Sequence, residues 1–237
     1  LVVGAGGLGC PAALFLASAG MGRIVLADAD TVDLTNLQRQ ILHRESTVGW
    51  PKVESARRAL AEINSTIEIV TLAQRLTGGA LADAVAGSTV VLDCCDNFET
   101  RHAVNRACVK AGVPLVSGAA IRFDGQLAVF DPRRPESPCY HCLFPEGQET
   151  EEVRCATMGV FAPLTGIVGT MQAAEALKIA GAFAAASGAA TPSVPGARGY
   201  GSGETRWPTT RGGAAPVLAG LGIPIPLRAG RARSAAP

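Results

Sequence analysis

Three glycines, Gly4, Gly6 and Gly9, open the chain in the spacing G-x-G-x-x-G within LVVGAGGLGC. That spacing builds a tight strand-to-helix turn whose backbone N–H groups can approach a phosphate, and by itself it does not choose between nucleotides. Asp28 ends the next apolar run, where a carboxylate can accept from a ribose hydroxyl. The residues after it discriminate. The stretch DADTVDLTNLQRQILH gathers Asn36, Gln38, Arg39 and Gln40 just beyond that run, and a guanidinium there suits a polyphosphate. Lys52 brings a second cation at the start of a helix, and Asp96 stands just outside the run TVVLDC. A carboxylate beside phosphates is the usual holder of Mg²⁺. Together Asp28, Arg39, Lys52 and Asp96 read as a MgATP site rather than an NAD site. Taken singly each has a plainer reading: Arg39 and Lys52 as a solvated face, Asp96 as the cap of a helix beginning near Asn97.

The elements that must position these groups alternate between strand and helix. Strands are expected at Leu1–Val3, Arg23–Asp28, Ile67–Leu72 and Thr89–Cys94, with a fifth in VPLVSG. Helices are expected at Leu8–Gly20, with Pro11 in its first turn, and at Lys52–Ile63 and Glu99–Ala111. The segment IRFDGQLAVF reads as a hairpin with Asp124-Gly125 at its turn. The fold class is α/β, a Rossmann-like doubly wound, mainly parallel sheet with an antiparallel extension. Only three residues precede Gly4, fewer than a strand usually has, so the natural N-terminus is expected upstream of Leu1.

Bulk properties exclude some functions. The chain has 237 residues, 48% hydrophobic and 17% charged, with a net charge of +1, so nothing marks it for nucleic acid or an anionic membrane. Cys94 and Cys95 adjoin in an apolar run and read, with Cys10 and Cys108, as reduced thiols filling a cytoplasmic core. The apolar stretch 159–190 is interrupted by Gln172, Glu175 and Lys178 and reads as a buried helix rather than a membrane span. Two regions are expected: an ATP-binding domain over 1–181, and a low-complexity tail over 182–237. The tail is rich in Ala, Gly, Pro and Arg, lacks Lys and has one acid, Glu204; it reads as disordered.

Cys139 and Cys142 form a C-x-x-C, a zinc-ligand spacing. A redox dithiol would more usually open a helix, whereas Pro138 and Pro145 here frame an expected loop, with His141 as a bystander.

The segments GAGGLGC, SAGMGRIVLADADTVDLTNLQRQILH, VGWPKVESA, LDCCDN, VPLVSGAAIRFDGQLAVF, PCYHC and GVFAPLTGIVG together resemble the MoeB/ThiF/HesA family, which adenylates ubiquitin-like sulfur-carrier proteins. The resemblance runs from Leu1 to about Gly181. It implies that Gly7 lies against the nucleotide and that Asp28 takes its ribose. It implies that Thr35, Asn36, Leu37, Gln38, Arg39 and Lys52 contact ATP, that Asp96 binds Mg²⁺, and that Asp96 and Asn97 border the nucleotide. The carrier, ending in Gly-Gly, would be adenylated for sulfur transfer in molybdopterin or thiamin biosynthesis. A homodimer in the cytoplasm is implied, with no nucleic-acid or membrane partner. The family completes a Zn²⁺ site with a second C-x-x-C, and no cysteine follows Cys155 in this chain, so Cys139 and Cys142 are expected to be half of one. Cys155 matches a thiol that some relatives acylate or persulfidate, and Arg154 beside it would lower its pKa. Two competing readings are an NAD(P)-dependent oxidoreductase, resting on the glycine loop alone, and a non-catalytic binder of nucleotide or carrier.

Overall fold

Alternate residues of each central strand enter opposite cores. Val2, Leu26, Leu92 and Val116 join one apolar cluster, and their neighbours Val3, Ala27, Val91 and Leu115 join the other. Burial on both faces is the condition under which parallel strands become almost continuously apolar. The computed structural model describes residues 1–147 and 159–187. Its strands are β1 (Val2–Val3), β2 (Arg23–Ala27), β3 (Glu68–Leu72), β4 (Val91–Asp93), β5 (Leu115–Ile121) and β6 (Asp124–Phe130). They form one sheet in the order β3-β2-β1-β4-β5-β6, parallel throughout except for the antiparallel pair β5–β6. The expected α/β class and its antiparallel extension are both present.

On one face lie α1 (Gly9–Ser18), α2 (Lys52–Ile63) and α6 (Ala162–Ser187). On the other lie α3 (Gly78–Ala86), α4 (Phe98–Ala111) and the short α5 (Tyr140–Leu143). The helix expected from Lys52 to Ile63 has those ends in the structure. Helix α3 has no counterpart in the sequence expectations. It opens on Gly78 and Gly79 and buries only Leu81 and Val85, too short an apolar stripe to register as a period.

The hairpin differs from expectation. Ile121 pairs with Asp124, so Arg122 and Phe123 make the turn. Arg122 takes a φ of 49° and is pinned by backbone bonds to Gly159 and Phe161. Gly125 lies within β6 for a packing reason: a Cβ there would come 2.9 Å from Val168 and 3.0 Å from Leu164, both on α6. A glycine after an aspartate signals a turn locally, but here it admits a helix.

Helix α6 is buried against the sheet and α1. Gln172, fully buried, donates through Nε2 to the carbonyls of Asp93 at 2.7 Å and Val116 at 3.1 Å, while Lys178 pairs with Glu175 on the exposed side. Among the described residues no helix is long and apolar enough to cross a membrane. Helix α6 continues to Ser187, past the boundary expected at 181. Cys155, and the expected tail from residue 188 onward, lie outside the described residues.

The α1–α6 contact can be tested. A Cβ on Gly169 would lie 2.3 Å from the Leu8 carbonyl oxygen and 2.6 Å from Pro11 Cγ, whereas one on Gly166 meets nothing within 4 Å. Gly169→Ala is expected to destabilise by about 1–3 kcal/mol through overpacking. Gly166→Ala should stabilise by roughly 0.5–1 kcal/mol through helix propensity. Urea midpoints of the two variants should move in opposite directions.

Candidate active site

Strand β1 has β2 on one side and β4 on the other, so the chain reverses its direction of winding between them. In open α/β sheets ligands bind outside the carboxyl ends of the strands at that switch point. The glycine loop leaves β1 here. Gly4 has φ 102° and its N–H donates to Ala27 at 2.8 Å; a Cβ on it would lie 2.7 Å from the Cys94 carbonyl oxygen. A Cβ on Gly9 would fall 1.8 Å from the Gly4 carbonyl oxygen. No side chain fits at either position. Gly7 faces Thr165 of α6, with room for a Cβ only at 3.2 Å.

Asp28 accepts through Oδ2 from the Ala5 N–H at 2.7 Å and through Oδ1 from the Asp30 N–H at 2.8 Å. Its carboxylate therefore holds the glycine loop, with further lone pairs available to a ligand hydroxyl. Lys52, whose side chain is 7% exposed, places Nζ 2.7 Å from Oδ2 of Asp30, 70% exposed. Asp30 is absent from the sequence expectations. Its only local signal is its place two residues after Asp28, and the partner that gives it meaning is far along the chain.

Between Asp30 and Lys52 the chain is tied by two 3₁₀ turns, Leu34–Asn36 and Glu45–Thr47. Asp33 caps the first by accepting from the Thr35 N–H. Asn36 Oδ1 accepts from Nη2 of Arg39 at 2.9 Å, which orients the half-buried guanidinium and leaves most of its donors available. Thr35 and Gln38 are exposed and Leu37 is half-buried, whereas Gln40 is buried. His43 closes the segment onto the glycine loop: Nε2 lies 3.0 Å from the Ala5 carbonyl oxygen and Nδ1 lies 3.0 Å from Ser55 Oγ. A carbonyl only accepts, so Nε2 carries the proton and Nδ1 accepts from Ser55. Ser55 Oγ in turn lies 2.8 Å from Thr47 Oγ1.

At the end of β4, Asp93 is buried and paired with Arg101 of α4 at 3.2 Å. Its carboxylate also accepts from Ser117 Oγ at 2.8 Å and from the Cys95 N–H at 3.1 Å. Nη2 of Arg101 donates to the Cys95 carbonyl at 2.6 Å. Burial works against the Arg101 charge, yet the Asp93 carboxylate more than compensates and raises its pKa. The cap of α4 is Asn97, which accepts from the Thr100 N–H at 2.9 Å. Asp96 is thus no cap. It is exposed, approached by Nδ2 of Asn97 at 3.5 Å, and a free-standing carboxylate of this kind fits a hydrated Mg²⁺. Asp93 and Arg101 were not singled out from sequence, where the signal was an acid inside an apolar run.

Burial pushes the Cys10 and Cys108 thiols up to about 12 and raises Cys94 and Cys95 as well, as inert core thiols require. Cys139 and Cys142 bring their sulfurs to 3.5 Å. In place of the expected loop, Cys139 stands immediately before the single helical turn of α5. Partial burial pushes the Cys139 thiol up, but hydrogen bonds from Cys142, Asn105 and His141 outweigh it and lower its pKa.

Comparison with known proteins places this architecture. The family model described as the ThiF family matches residues 1–206. The chain is 50% identical over 179 residues to the sulfur carrier protein ThiS adenylyltransferase of Escherichia coli, covering 76% of this chain and 70% of that protein. It is 52% identical over 182 residues to the molybdopterin-synthase adenylyltransferase of Salmonella typhimurium, covering 76% and 71%. Among solved structures it resembles Escherichia coli MccB with ATP, with a TM-score of 0.63 and 27% identity, covering 77% of this chain and 55% of that one.

The buried imidazole yields a prediction. Desolvation lowers the His43 pKa from 6.5, against the opposing effect of the Ala5 carbonyl. The unfolded chain therefore binds this proton more readily, and its contribution to stability is present above the unfolded value and lost as pH falls below it. Unfolding free energy measured by urea titration should decline as pH is lowered from 6.5. His43→Gln should flatten the slope in that interval.

Proposed function

The chain belongs to the ThiF family, and from that premise we propose that it adenylates the C-terminal glycine of a ubiquitin-like sulfur-carrier protein. A carboxylate oxygen of the carrier's Gly-Gly terminus attacks the α-phosphorus of ATP. The bond from that phosphorus to the bridging oxygen breaks, and pyrophosphate leaves. The observation that carries this reading is the switch point itself: the glycine loop, the Asp30–Lys52 pair and the exposed Asp96 stand at neighbouring strand ends, and the Arg39–Asn36 pair lies in the segment that His43 ties to that loop.

Each residue has a role in this proposal. Gly7 and its neighbours let phosphate reach backbone N–H groups. Asp28 receives the ribose while holding Ala5. Arg39, oriented by Asn36 and flanked by Thr35, Leu37 and Gln38, grips the polyphosphate. Lys52 has three donors, so it can keep Asp30 and still reach a phosphate oxygen. Asp96, bordered by Asn97, holds Mg²⁺, which when bound neutralises phosphate charge. The attacking carboxylate is already ionised, so no general base is needed. Catalysis is positioning and charge stabilisation. Cys155 acts, if it becomes acylated, only after the adenylate forms. Cys139 and Cys142 take no part in adenylation, and a homodimer in the cytoplasm completes the reading. The matched relatives include one named for ThiS and one named for molybdopterin synthase, so carriers of both kinds are the substrates to try.

With ATP, Mg²⁺ and such a carrier, the protein should catalyse carrier-dependent exchange of labelled pyrophosphate into ATP. Exchange without carrier, or reduction of NAD, would overturn the proposal. In single-turnover adenylate formation, Asp96→Ala should lose about 10²-fold or more, the scale for one preorganised charge-stabilising group. Cys155→Ala should lose far less, and equal losses would refute the division of roles.

A further inference from the structure

A second cluster of donors lies outside the nucleotide site, where α4 meets α5. His102 on α4 is buried, while His141 on α5 and Glu146 just beyond it are exposed. Each offers one ligand atom, and the three atoms lie within 4.8 Å of one another. Nδ1 of His102 is 3.5 Å from Oε1 of Glu146. The His102 and His141 rings meet edge-on, with centroids 6.1 Å apart. The backbone N–H of Glu146 approaches Nδ1 of His141 at 3.4 Å, which folds the segment back so that both residues face α4. The cluster also has a firm base. The Tyr140 N–H donates to buried Asn105 at 2.9 Å, and the Tyr140 ring stacks edge-on against His102 at 5.2 Å.

We propose that His102, His141 and Glu146 form a site for a divalent transition cation of the zinc class, separate from the thiol pair Cys139 and Cys142. Two imidazoles and one carboxylate suit Zn²⁺, Co²⁺ or Ni²⁺, whereas Mg²⁺ and Ca²⁺ want oxygen throughout. Zinc bonds of about 2.0–2.1 Å to nitrogen in a tetrahedron separate neighbouring ligands by roughly 3.4 Å. His102 and Glu146 already stand at that spacing, and His141, exposed on a short turn, closes the remainder by a side-chain rotation. Glu146 also pairs with Arg106, which is 60% exposed; solvent screens that pair, so a cation can displace the guanidinium from one oxygen. Water completes the fourth position. No electron transfer is involved, since the ion binds neutral imidazoles and an ionised carboxylate.

The test is cobalt and zinc binding to the full chain by equilibrium dialysis, with the cobalt electronic spectrum recorded in parallel. Three variants separate the donor sets: Cys139→Ser with Cys142→Ser, His141→Ala, and Glu146→Gln. All but the half-buried Cys139 change exposed side chains, and circular dichroism of each variant checks that the fold is retained. The double serine variant is expected to keep one cobalt per chain without a thiolate-to-cobalt charge-transfer band. His141→Ala and Glu146→Gln should each weaken binding by at least about tenfold, the lower bound for loss of a supporting group at a metal site. Cobalt that disappears with the two cysteines and survives His141→Ala unchanged would overturn the proposal. So would a chain that retains no ion after dialysis.

Discussion

The buried pair of Asp93 and Arg101 is the interaction to which the rest of the site is referred. Asp93 is 1% exposed and Arg101 is 7% exposed, so removing either partner would strand a charge at a cost of about 3–5 kcal/mol. The pair survives burial because its remaining hydrogen-bonding capacity is used: Ser117 and the Cys95 N–H fill the carboxylate, and the Cys95 carbonyl takes the second guanidinium nitrogen. Three elements meet there: β5 through Ser117, α4 through Arg101, and the turn leading to Asp96 through Cys95. Helix α6 joins from the opposite face, because Gln172 donates to the main-chain carbonyl of the same aspartate. Helices on both sides of the sheet thus share one reference point. The position of the exposed Asp96 follows from these buried groups, although Asp96 itself makes few contacts.

The glycine loop is held by a complementary device. Ala5 is gripped at both of its backbone polar groups, its N–H by Asp28 and its C=O by His43. The Ala5 N–H is thereby consumed, and its carbonyl oxygen also accepts from the Cys10 thiol at 3.3 Å. Burial favours the neutral form of this imidazole, in which Nε2 donates to the Ala5 carbonyl and Nδ1 accepts from Ser55. The imidazole that anchors the glycine loop is thus also a group whose charged form burial disfavours.

What the sequence made legible were features whose cause is local. Apolar runs gave strands because parallel strands are buried on both faces. The charged and apolar sides of Lys52–Ile63 gave α2, and Gly4 and Gly9 were readable because no Cβ fits between β1 and its neighbours. What was not legible depended on partners distant in sequence. Asp30 acquires its role from Lys52, and Asp93 acquires its role from Arg101 and Ser117. Gln172 looked like an interruption in an apolar helix, yet it is fully buried because two strand-end carbonyls need a donor there. Gly125 misled in the opposite sense: its neighbour Asp124 is a turn former, but its lack of a side chain serves α6.

A strand–glycine loop–helix unit can serve hydride transfer or adenylyl transfer, so the choice must come from what is placed opposite the loop. Here that is the long segment between β2 and α2. Two 3₁₀ turns, Leu34–Asn36 and Glu45–Thr47, give this segment its own structure, and it is closed at its base. The Thr31–Pro51 bridge, the Val32 N–H to the Trp50 carbonyl at 2.8 Å and the Lys52 N–H to the Asp30 carbonyl at 2.9 Å join its two ends. The Lys52 ammonium then repeats the Asp30 connection through side chains. Closing the base in this way keeps Lys52 at the strand end although α2 runs away from it. His43 anchors the middle of the segment to the glycine loop, and Arg39 precedes that anchor by one helical turn's worth of chain. Lys52 is thereby held at the carboxyl end of the sheet, and Arg39 lies in a loop whose two ends are joined. Cations presented by such a closed loop suit a triphosphate, whose charge must be met from several directions at once.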